Sequence, residues 1–409
     1  MAYLSDGYGV RGASGRPTAA GAQESGEPGV GIRGEYYPGF SPSLIPPEKV
    51  KSMLDEYVVG QEQAKRTIAS ISWNIQLLKE GLPVPRVNLL MTGPSGAGKT
   101  HLMQSLAKIL NVPSASADGS CLTRAGYYGE DVEAVLERLL AVVSKEDKEI
   151  RSDHGYMMPC GIVFIDEFDK LLLDRGERCS HSSAVQAQFL RMMEGAEVDL
   201  GSRDDDEGEK KPVIDTSRIV FVFAGSFSLI KKGKTKGAIG FGGDIGGDDT
   251  EDLSPLTQGD FLEVGVIPEF MGRITKMVRL DELTKGDYVK ILRDIKGSVI
   301  ENYTRLLEYN HVQLMVDELV YGFLAEEAIR RGMGARGLSR SIEEVFEEIR
   351  YKVPSDHSIR ECRVRLKEGK LIYEFVREGE RPSVPVEEST QGEDGDGLLD
   401  DESWRIAFE

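Results

Sequence analysis

Residues 93–100 read GPSGAGKT, and the pattern G-x-x-x-x-G-K-T is typical of a loop that binds nucleotide phosphates. The apolar segment 87–92 before the loop has the length of a buried strand. Residues 101–110 after the loop carry apolar side chains at helical spacing. This order places the loop at a helix N-terminus, where backbone N–H groups and the helix dipole attract phosphate oxygens. The sequence therefore predicts a nucleotide site at this loop.

Each residue of the loop is a candidate for contact with the nucleotide. The glycines allow the backbone to wrap around the phosphates. We expect Lys99 to reach the outer phosphates and Thr100 to bind Mg²⁺. The predicted nucleotide-binding residues of the loop are Gly93, Pro94, Ser95, Gly96, Ala97, Gly98, Lys99 and Thr100.

Two carboxylates follow a second apolar segment. Residues 161–165 predict a buried strand, and Asp166 and Glu167 come directly after it. In a parallel sheet the carboxyl end of this strand lies beside the phosphate loop. We expect Asp166 to act through the Mg²⁺ shell and Glu167 to polarise the attacking water. Charge that develops on the γ-phosphate needs a cation, and Arg273 and Arg336 are candidates that spacing alone does not separate from other arginines.

The order of apolar segments predicts the fold class. Apolar strands alternate with amphipathic helices from the loop to about residue 224, which indicates an α/β fold with a three-layer parallel sheet. From about residue 285 helical patterns dominate, over 288–307, 316–331 and 337–351, and a short strand pair follows near 364–366 and 371–375. This second region predicts a small, mainly helical domain.

Composition shifts mark the predicted domain boundaries. Residues 1–47 are rich in Gly, Ala, Ser and Pro and predict a flexible arm, and residues 379–409 predict a disordered acidic tail. Between them we expect a large domain over 48–284 and a small domain over 285–378. The formal charge of -19 argues against a nucleic-acid partner, because such binding depends on basic surface. No apolar run suggests a membrane span, and scattered cysteines favour a reducing cytoplasm.

Several motifs, in unbroken order, resemble those of ClpX, a family of hexameric AAA+ protein unfoldases that feed a barrel-shaped peptidase. The likeness covers about residues 48–376. The resembling segments are 57–61 (nucleotide-sensing box), 93–100 (phosphate loop), 126–131 (first pore loop), 162–170 (Walker B), 239–241 (peptidase-docking Ile-Gly-Phe), 267–273 (arginine-finger box) and 334–338 (sensor 2).

The resemblance implies a role for each matched residue. It implies ATP and Mg²⁺ as cofactors and Val58 and Val59 as nucleotide contacts. Tyr127 would grip substrate in the central pore, with Tyr128 beside it. Arg273 would reach the nucleotide of a neighbouring subunit and Arg336 that of its own. The docking residues would be Ile239, Gly240 and Phe241.

The resemblance also implies binding partners, and several alternative functions stay open. It implies a homo-hexamer, unfolded or tagged protein substrates and a ClpP-like peptidase. The alternatives are a stand-alone remodelling chaperone, a nucleic-acid motor on the same core, or a regulatory subunit like HslU. HslU carries a long insertion before Walker B, whereas only about 30 residues separate Asp131 from Gly161 here.

The sequence departs from the family pattern at three places, which limits the family roles that can be assigned to this chain. Residues 1–48 contain no cysteine, so we expect no N-terminal zinc-binding domain. The region 201–212, where the family has a basic pore-entrance loop, carries acidic residues 204–207. Residues 224–227 read AGSF instead of GGAF, which leaves the sensor-1 role unassigned.

Overall fold

The computed structural model describes residues 44–123, 130–143, 150, 156–172, 179–200, 212–228, 230, 256–332 and 334–379. For residues 123, 130, 179–181 and 336 it describes the backbone alone. The described residues from Ile45 onward belong to one compact unit.

The strands of the first region form a parallel sheet and two small pairs. They are β1 (Leu89–Thr92), β2 (Ser114–Asp118), β3 (Leu122–Thr123), β4 (Glu130–Asp131), β5 (Gly161–Asp166), β6 (Glu197–Asp199), β7 (Val213–Asp215), β8 (Ile219–Gly225) and β9 (Lys276–Arg279). The main sheet has the order β2-β5-β8-β1-β9, and β3 pairs with β4 and β6 with β7. Leu89 of β1 faces Val222 of β8 on one side and Lys276 of β9 on the other, both in parallel register.

Helices cover both faces of this sheet. They are α1 (Pro47–Asp55), α2 (Glu62–Lys79), α3 (Lys99–Leu110), α4 (Ala134–Val142), α5 (Phe168–Leu171), α6 (Cys179–Met193), α7 (Gln258–Glu263) and α8 (Pro268–Arg273). Successive strand residues point to opposite faces, so Leu89 and Met91 pack in one apolar cluster with α1–α3, and Leu90 packs in another with α4 and α6. The predicted three-layer α/β fold is confirmed.

An aromatic cluster fixes the end of β5 against its neighbours. The ring of Phe168 lies 5.0 Å from that of Phe223 and 5.2 Å from that of Phe270, and all three are fully buried. Because such rings bury large apolar areas, removing one, as in Phe223→Ala, should cost about 3–5 kcal/mol of folding free energy. The cluster therefore anchors the residue that directly follows Glu167.

The second region has its own core. Its elements are α9 (Lys285–Arg293), α10 (Val299–Tyr309), β10 (Gln313–Val316), α11 (Glu318–Arg331), α12 (Ala335–Lys352), β11 (Ile359–Lys367) and β12 (Lys370–Arg377). Their apolar residues form one cluster, separate from the two that flank the main sheet. β11 is the middle strand of a three-stranded sheet, parallel to β10 and antiparallel to β12.

Two sequence predictions for this region are wrong in detail. The single helix expected over 288–307 is two helices, because Gly297 has a φ of 75° and Ser298 caps α10 by accepting a hydrogen bond from the N–H of Glu301. The pattern assigned to a helix from residue 316 begins with the strand β10, and α11 begins only at Glu318. No helix in the described part of the chain is long and apolar enough to cross a bilayer.

Candidate functional site

A cleft of about 530 Å³ opens at the carboxyl edge of the main sheet, between that edge and the start of α12. The phosphate loop, the end of β5 and the end of β8 contribute to its walls. The lining residues are Ser95, Gly96, Gly98, Lys99, Thr100, His101, Gln104, Asp166, Glu167, Asp169, Lys170, Gly225, Ser226, Ala335 and Ser339. The loop and the two carboxylates that the sequence predicts to meet are therefore brought together.

The phosphate loop has the backbone that its sequence predicts. Gly96 and Gly98 have φ angles of 78° and 93°, which residues with a β-carbon rarely adopt. α3 begins at Lys99, so its N-terminal N–H groups open into the cleft. The ammonium of Lys99 donates to the carbonyls of Gly93, at 2.8 Å, and Pro94, at 3.0 Å, and is thereby held at the loop.

Thr100 and Asp166 are joined across the cleft floor. The Thr100 hydroxyl donates to Oδ2 of Asp166 at 2.6 Å, linking the first turn of α3 to the end of β5. Hydroxyl and carboxylate oxygens are the ligands that Mg²⁺ prefers. These two residues therefore fit a magnesium ion bound with a nucleotide.

Glu167 has an unusual backbone. Its φ is 52°, in the left-handed region, and its N–H donates to Oδ1 of Asp166 at 2.9 Å. A glutamate in this region costs about 1–2 kcal/mol, so the surrounding structure must impose it. The next residue, Phe168, is fully buried. The strain places a carboxylate at the cleft wall, beside the Thr100–Asp166 pair.

Sequence reasoning missed a third carboxylate at the cleft, Asp169. It is 8% exposed, and its Oδ2 accepts hydrogen bonds from the Ser226 hydroxyl, at 2.8 Å, and the Phe227 N–H, at 3.1 Å. A hydroxyl that donates its one proton to a carboxylate can only accept at its remaining lone pairs. Ser226 at the cleft wall is therefore an acceptor for a proton of water. In the sequence, the position of Asp169 three residues after Asp166 was the feature that could have indicated its place at the cleft.

No residue of the expected nucleotide-sensing box, 57–61, is among the residues that line the cleft. Val58 is 5% exposed and packs in the cluster with α1–α3, and neither it nor Val59 lines the cleft. His101, which lines the cleft, has its Nε2 2.9 Å from the carbonyl of Tyr57. Contact of Val58 and Val59 with a nucleotide stays a prediction.

A buried ammonium group, that of Lys65, contacts the backbone of this box. Lys65 is 2% exposed, and its ammonium pairs with Asp55 and with Glu62, at 2.8 Å for Glu62. It also donates to the carbonyl of Val58 at 3.3 Å. Hydrogen bonds from Lys51 and Lys65 lower the pKa of Glu62. Burial acts to raise the pKa of Asp55, but hydrogen bonds from the same two lysines hold it below its ordinary value.

The small domain touches the phosphate loop directly. The N–H of Ala335 donates to the carbonyl of Gly96 at 3.2 Å, and Ser339 lines the cleft one turn further along α12. Arg336 lies between them in sequence, in the first turn of this helix. Its backbone therefore lies between two residues that line the cleft, and its contact with a nucleotide stays a prediction.

Arg273 is not at this cleft. It ends α8, its side chain is 54% exposed, and a terminal nitrogen lies 2.5 Å from Oε1 of Glu194. The remaining predicted residues lie outside the described part of the chain: Tyr127, Tyr128, Ile239, Gly240 and Phe241, and the acidic stretch 204–207.

The parallel sheet, the phosphate loop with its paired carboxylates and the small domain at the cleft define an AAA+ ATPase. Residues 84–277 match the model of the AAA domain (Cdc48 subfamily), and residues 283–365 match that of the C-terminal, D2-small domain of ClpB protein.

Comparison with individual proteins identifies the family. The chain is 34% identical over 342 residues to the ATP-dependent Clp protease ATP-binding subunit ClpX of Borrelia duttonii (strain Ly), covering 78% of this chain and 76% of that protein. It is 33% identical over 357 residues to the subunit of the same name from Azotobacter vinelandii, covering 80% and 79%. The chain belongs to the ClpX family.

Proposed function

We propose that this protein is an ATP-driven unfoldase and translocase that threads protein substrates through the pore of a homo-hexamer into a ClpP-like peptidase in the cytoplasm. The observation that carries the proposal is the set of Thr100, Asp166 and strained Glu167 at one cleft, beside a phosphate loop. The ClpX relatives are named as ATP-binding subunits of an ATP-dependent Clp protease, which supports coupling to a peptidase.

ATP would bind with its phosphates along residues 93–100. Lys99 would turn its ammonium from the loop carbonyls toward the outer phosphates, since an ammonium binds an anionic oxygen more strongly than a neutral carbonyl oxygen. Thr100 and Asp166 would hold Mg²⁺, which neutralises charge on the phosphates. Val58 and Val59 would contact the base side of the nucleotide.

Glu167 would accept a proton from the water that attacks the γ-phosphorus, as the bond to the bridging oxygen breaks. Ser226 would accept a hydrogen bond from the other proton of that water, because its own proton is donated to Asp169. Arg336 would meet the nucleotide of its own subunit. Arg273, which is outside its own cleft, would reach that of a neighbour and so requires a ring.

Mechanical work would pass through segments outside the described residues. Tyr127, with Tyr128 beside it, would grip the substrate chain, because an aromatic ring offers apolar contact without demanding one sequence. Ile239, Gly240 and Phe241 would dock in apolar clefts of the peptidase. Burying the ring of Phe241 would contribute on the order of 2 kcal/mol per loop, and six loops on one ring would act together.

The test is ATP-dependent degradation of a stable, tagged domain by the purified chain with a ClpP-type peptidase. The unmodified protein (the parent) should form hexameric rings in the presence of ATP and degrade the domain. Glu167→Gln should hold ATP without hydrolysing it, and Tyr127→Ala should hydrolyse ATP without unfolding the domain. Phe241→Ala should still unfold the domain but not deliver it to the peptidase.

Each step has an outcome that contradicts it. Near-normal turnover in Glu167→Gln would reject the assigned base. Unchanged unfolding per ATP in Tyr127→Ala would reject the gripping residue. If the parent unfolds the domain yet no peptidase degrades it, the stand-alone chaperone is the correct function. If the parent neither unfolds the domain nor forms rings with ATP, the proposal is wrong.

A further inference from the structure

Two consecutive residues, Glu194 and Gly195, hold two arginines from different parts of the chain. The Glu194 carboxylate pairs with Arg273 at 2.5 Å. The guanidinium of Arg86 lies against Gly195, so closely that a β-carbon there would be 2.1 Å from its terminal nitrogen. Gly195 also has a φ of 80°, which favours glycine. The backbone at this position therefore favours glycine, and glycine also leaves room for the guanidinium of Arg86.

The two arginines are also tied through the backbone. The Asn88 side chain donates to the carbonyl of Arg273 at 3.2 Å, and the N–H of Thr275 donates to the carbonyl of Asn88 at 2.8 Å. The Thr275 hydroxyl donates to the carbonyl of Arg86 at 3.3 Å. Arg86 and Arg273 thus belong to one rigid corner of the molecule, and a shift of one segment moves the other.

The guanidinium of Arg86 meets no carboxylate within the described part of the chain. Among the residues that the structure describes, no carboxylate lies within ion-pair distance of its guanidinium, and the residue is exposed. Glu194 is engaged by Arg273. An exposed guanidinium held flat on a glycine is preorganised to bind an anion with several oxygens.

Arg86 and Arg273 lie at the end of the main sheet opposite the nucleotide cleft of their own chain. Arg86 precedes β1, and Arg273 precedes β9, which is parallel to β1. The phosphate loop follows β1, so Gly93 is about 20 Å from Arg86 along an extended chain. Neither arginine lines the cleft of its own chain. The anion that they fit is therefore not the nucleotide bound in the cleft of their own chain.

We propose that Arg86 is a second arginine that acts in trans: together with Arg273 it contacts the phosphates of the nucleotide bound by the neighbouring copy. Glu194 and Gly195 are positioning residues: Glu194 pairs with the guanidinium of Arg273, and Gly195 leaves room for that of Arg86. This inference rests on the proposed function, since it requires the ring. The anion proposed to bind Arg86 is a nucleotide phosphate. The alternative is a carboxylate on the surface of the neighbouring copy.

The test uses mixed rings in which the arginine and the measured active site are on different subunits. Parent subunits are assembled with a large excess of Glu167→Gln subunits, which do not hydrolyse ATP themselves but keep both arginines. The excess subunits are then replaced by Glu167→Gln/Arg86→Ala, by Glu167→Gln/Arg273→Ala, or by the control Glu167→Gln/Arg66→Ala, which changes an exposed arginine on α2. ATP turnover by the parent subunits is measured across ATP concentrations.

In rings with Glu167→Gln/Arg86→Ala, the kcat of the parent subunits should fall about tenfold or more, and rings with the Arg273 variant should show a fall in the same direction. Rings with the Arg66 control should leave the kcat unchanged. Arg86→Lys should restore only part of the rate, because lysine lacks the planar fork. The KM for ATP and the melting temperature of the isolated variant subunits should stay near those of the parent.

The outcomes separate this inference from the proposed function. If the Arg273 variant lowers turnover and the Arg86 variant does not, the second arginine is wrong and the ring stands. If neither variant affects the neighbouring subunits, action in trans fails as a whole. If Arg86→Ala disrupts ring assembly at saturating ATP while turnover in the rings that form is normal, Arg86 binds a surface carboxylate and the inference is overturned.

Discussion

The hydroxyl of Thr100 donates a hydrogen bond of 2.6 Å to the carboxylate of Asp166, and it thereby joins the phosphate loop to the end of β5. Both oxygens fit a Mg²⁺ ion that binds with ATP. Thr100→Val keeps the shape of the side chain and removes the oxygen. We expect ATP turnover to fall about ten- to hundredfold, with a higher Mg²⁺ requirement. Turnover is measured across Mg²⁺ concentrations.

Thr100→Ser is the matched control, because it keeps the hydroxyl and should retain most of the activity. Folding is checked by the melting temperature without nucleotide. Equal Mg²⁺ dependence in Thr100→Val and the parent would show that Thr100 is not a magnesium ligand.

Ser226 should affect the chemical step and not ATP binding. Its hydroxyl donates to Asp169 at 2.8 Å and is therefore left as an acceptor for water. Ser226→Ala should lower kcat about tenfold or more with little change in KM, whereas Ser226→Thr should retain activity. Steady-state ATPase kinetics measure both constants. A raised KM with unchanged kcat would instead make Ser226 a binding residue.

The sequence predicted the elements that are long and strongly apolar. The buried strand predicted at 161–165 lies at 161–166, and the series of apolar strands predicted to end near residue 224 ends with the strand at 219–225, because strands covered on both faces read as apolar runs. β9 was missed because it is four residues long and has a basic residue at each end, which a strand at the sheet edge tolerates. β10 was missed because its apolar residues merge with those of the helix after it.

For the site, the sequence predicted what is local and missed what is assembled by folding. Residues 93–100 and the Asp166–Glu167 pair carry their signal in consecutive positions. The bond from Ser226 to Asp169 joins residues 57 apart in the chain, and neither residue belongs to a motif that predicts the other. The left-handed backbone of Glu167 was equally inaccessible, because the surrounding structure must impose it.

The buried ammonium of Lys65 should make part of the stability sensitive to acid. The pKa values of Asp55 and Glu62 are lowered from their ordinary 3.8 and 4.5. Stabilisation by a carboxylate with a lowered pKa is fully present above the ordinary value and is lost as the pH falls through the lowered one. Lys65→Met removes the pairs with both carboxylates. The difference in unfolding free energy between parent and variant should therefore shrink as the pH falls from neutral to below about 4.

Urea unfolding at a series of pH values measures this difference. The control is Lys285→Met, which breaks an exposed pair with Glu326 and should change stability little at any pH. A difference between parent and Lys65→Met that stays constant with pH would mean that Lys65 stabilises the fold through apolar packing of its stem and not through its carboxylate partners.

The contact between Gly334 and the phosphate loop should couple the small domain to ATP binding. Gly334 has a φ of 60°, and a β-carbon there would lie 2.6 Å from the carbonyl oxygen of Ser95 and 2.7 Å from the Cα of Gly96. Neither neighbour is the end of a flexible side chain, so Gly334→Ala must push α12 and the loop apart. We expect the affinity for ATP to fall about tenfold or more, because small displacements at such a site are costly. The stabilisation of the fold by ATP should fall with it.

Gly332 provides a nearby control. Its φ of 65° and ψ of 17° are left-handed, which alanine tolerates better than the φ of 60° and ψ of -152° at Gly334, and a β-carbon there would meet nothing within 4 Å. Gly332→Ala should therefore lose less stability without nucleotide than Gly334→Ala and still bind ATP like the parent. Both variants are measured by nucleotide titration and by the rise in melting temperature with ATP. Equal ATP affinities in the two variants would show that the close approach of Gly334 to residues 95 and 96 has no part in holding the nucleotide.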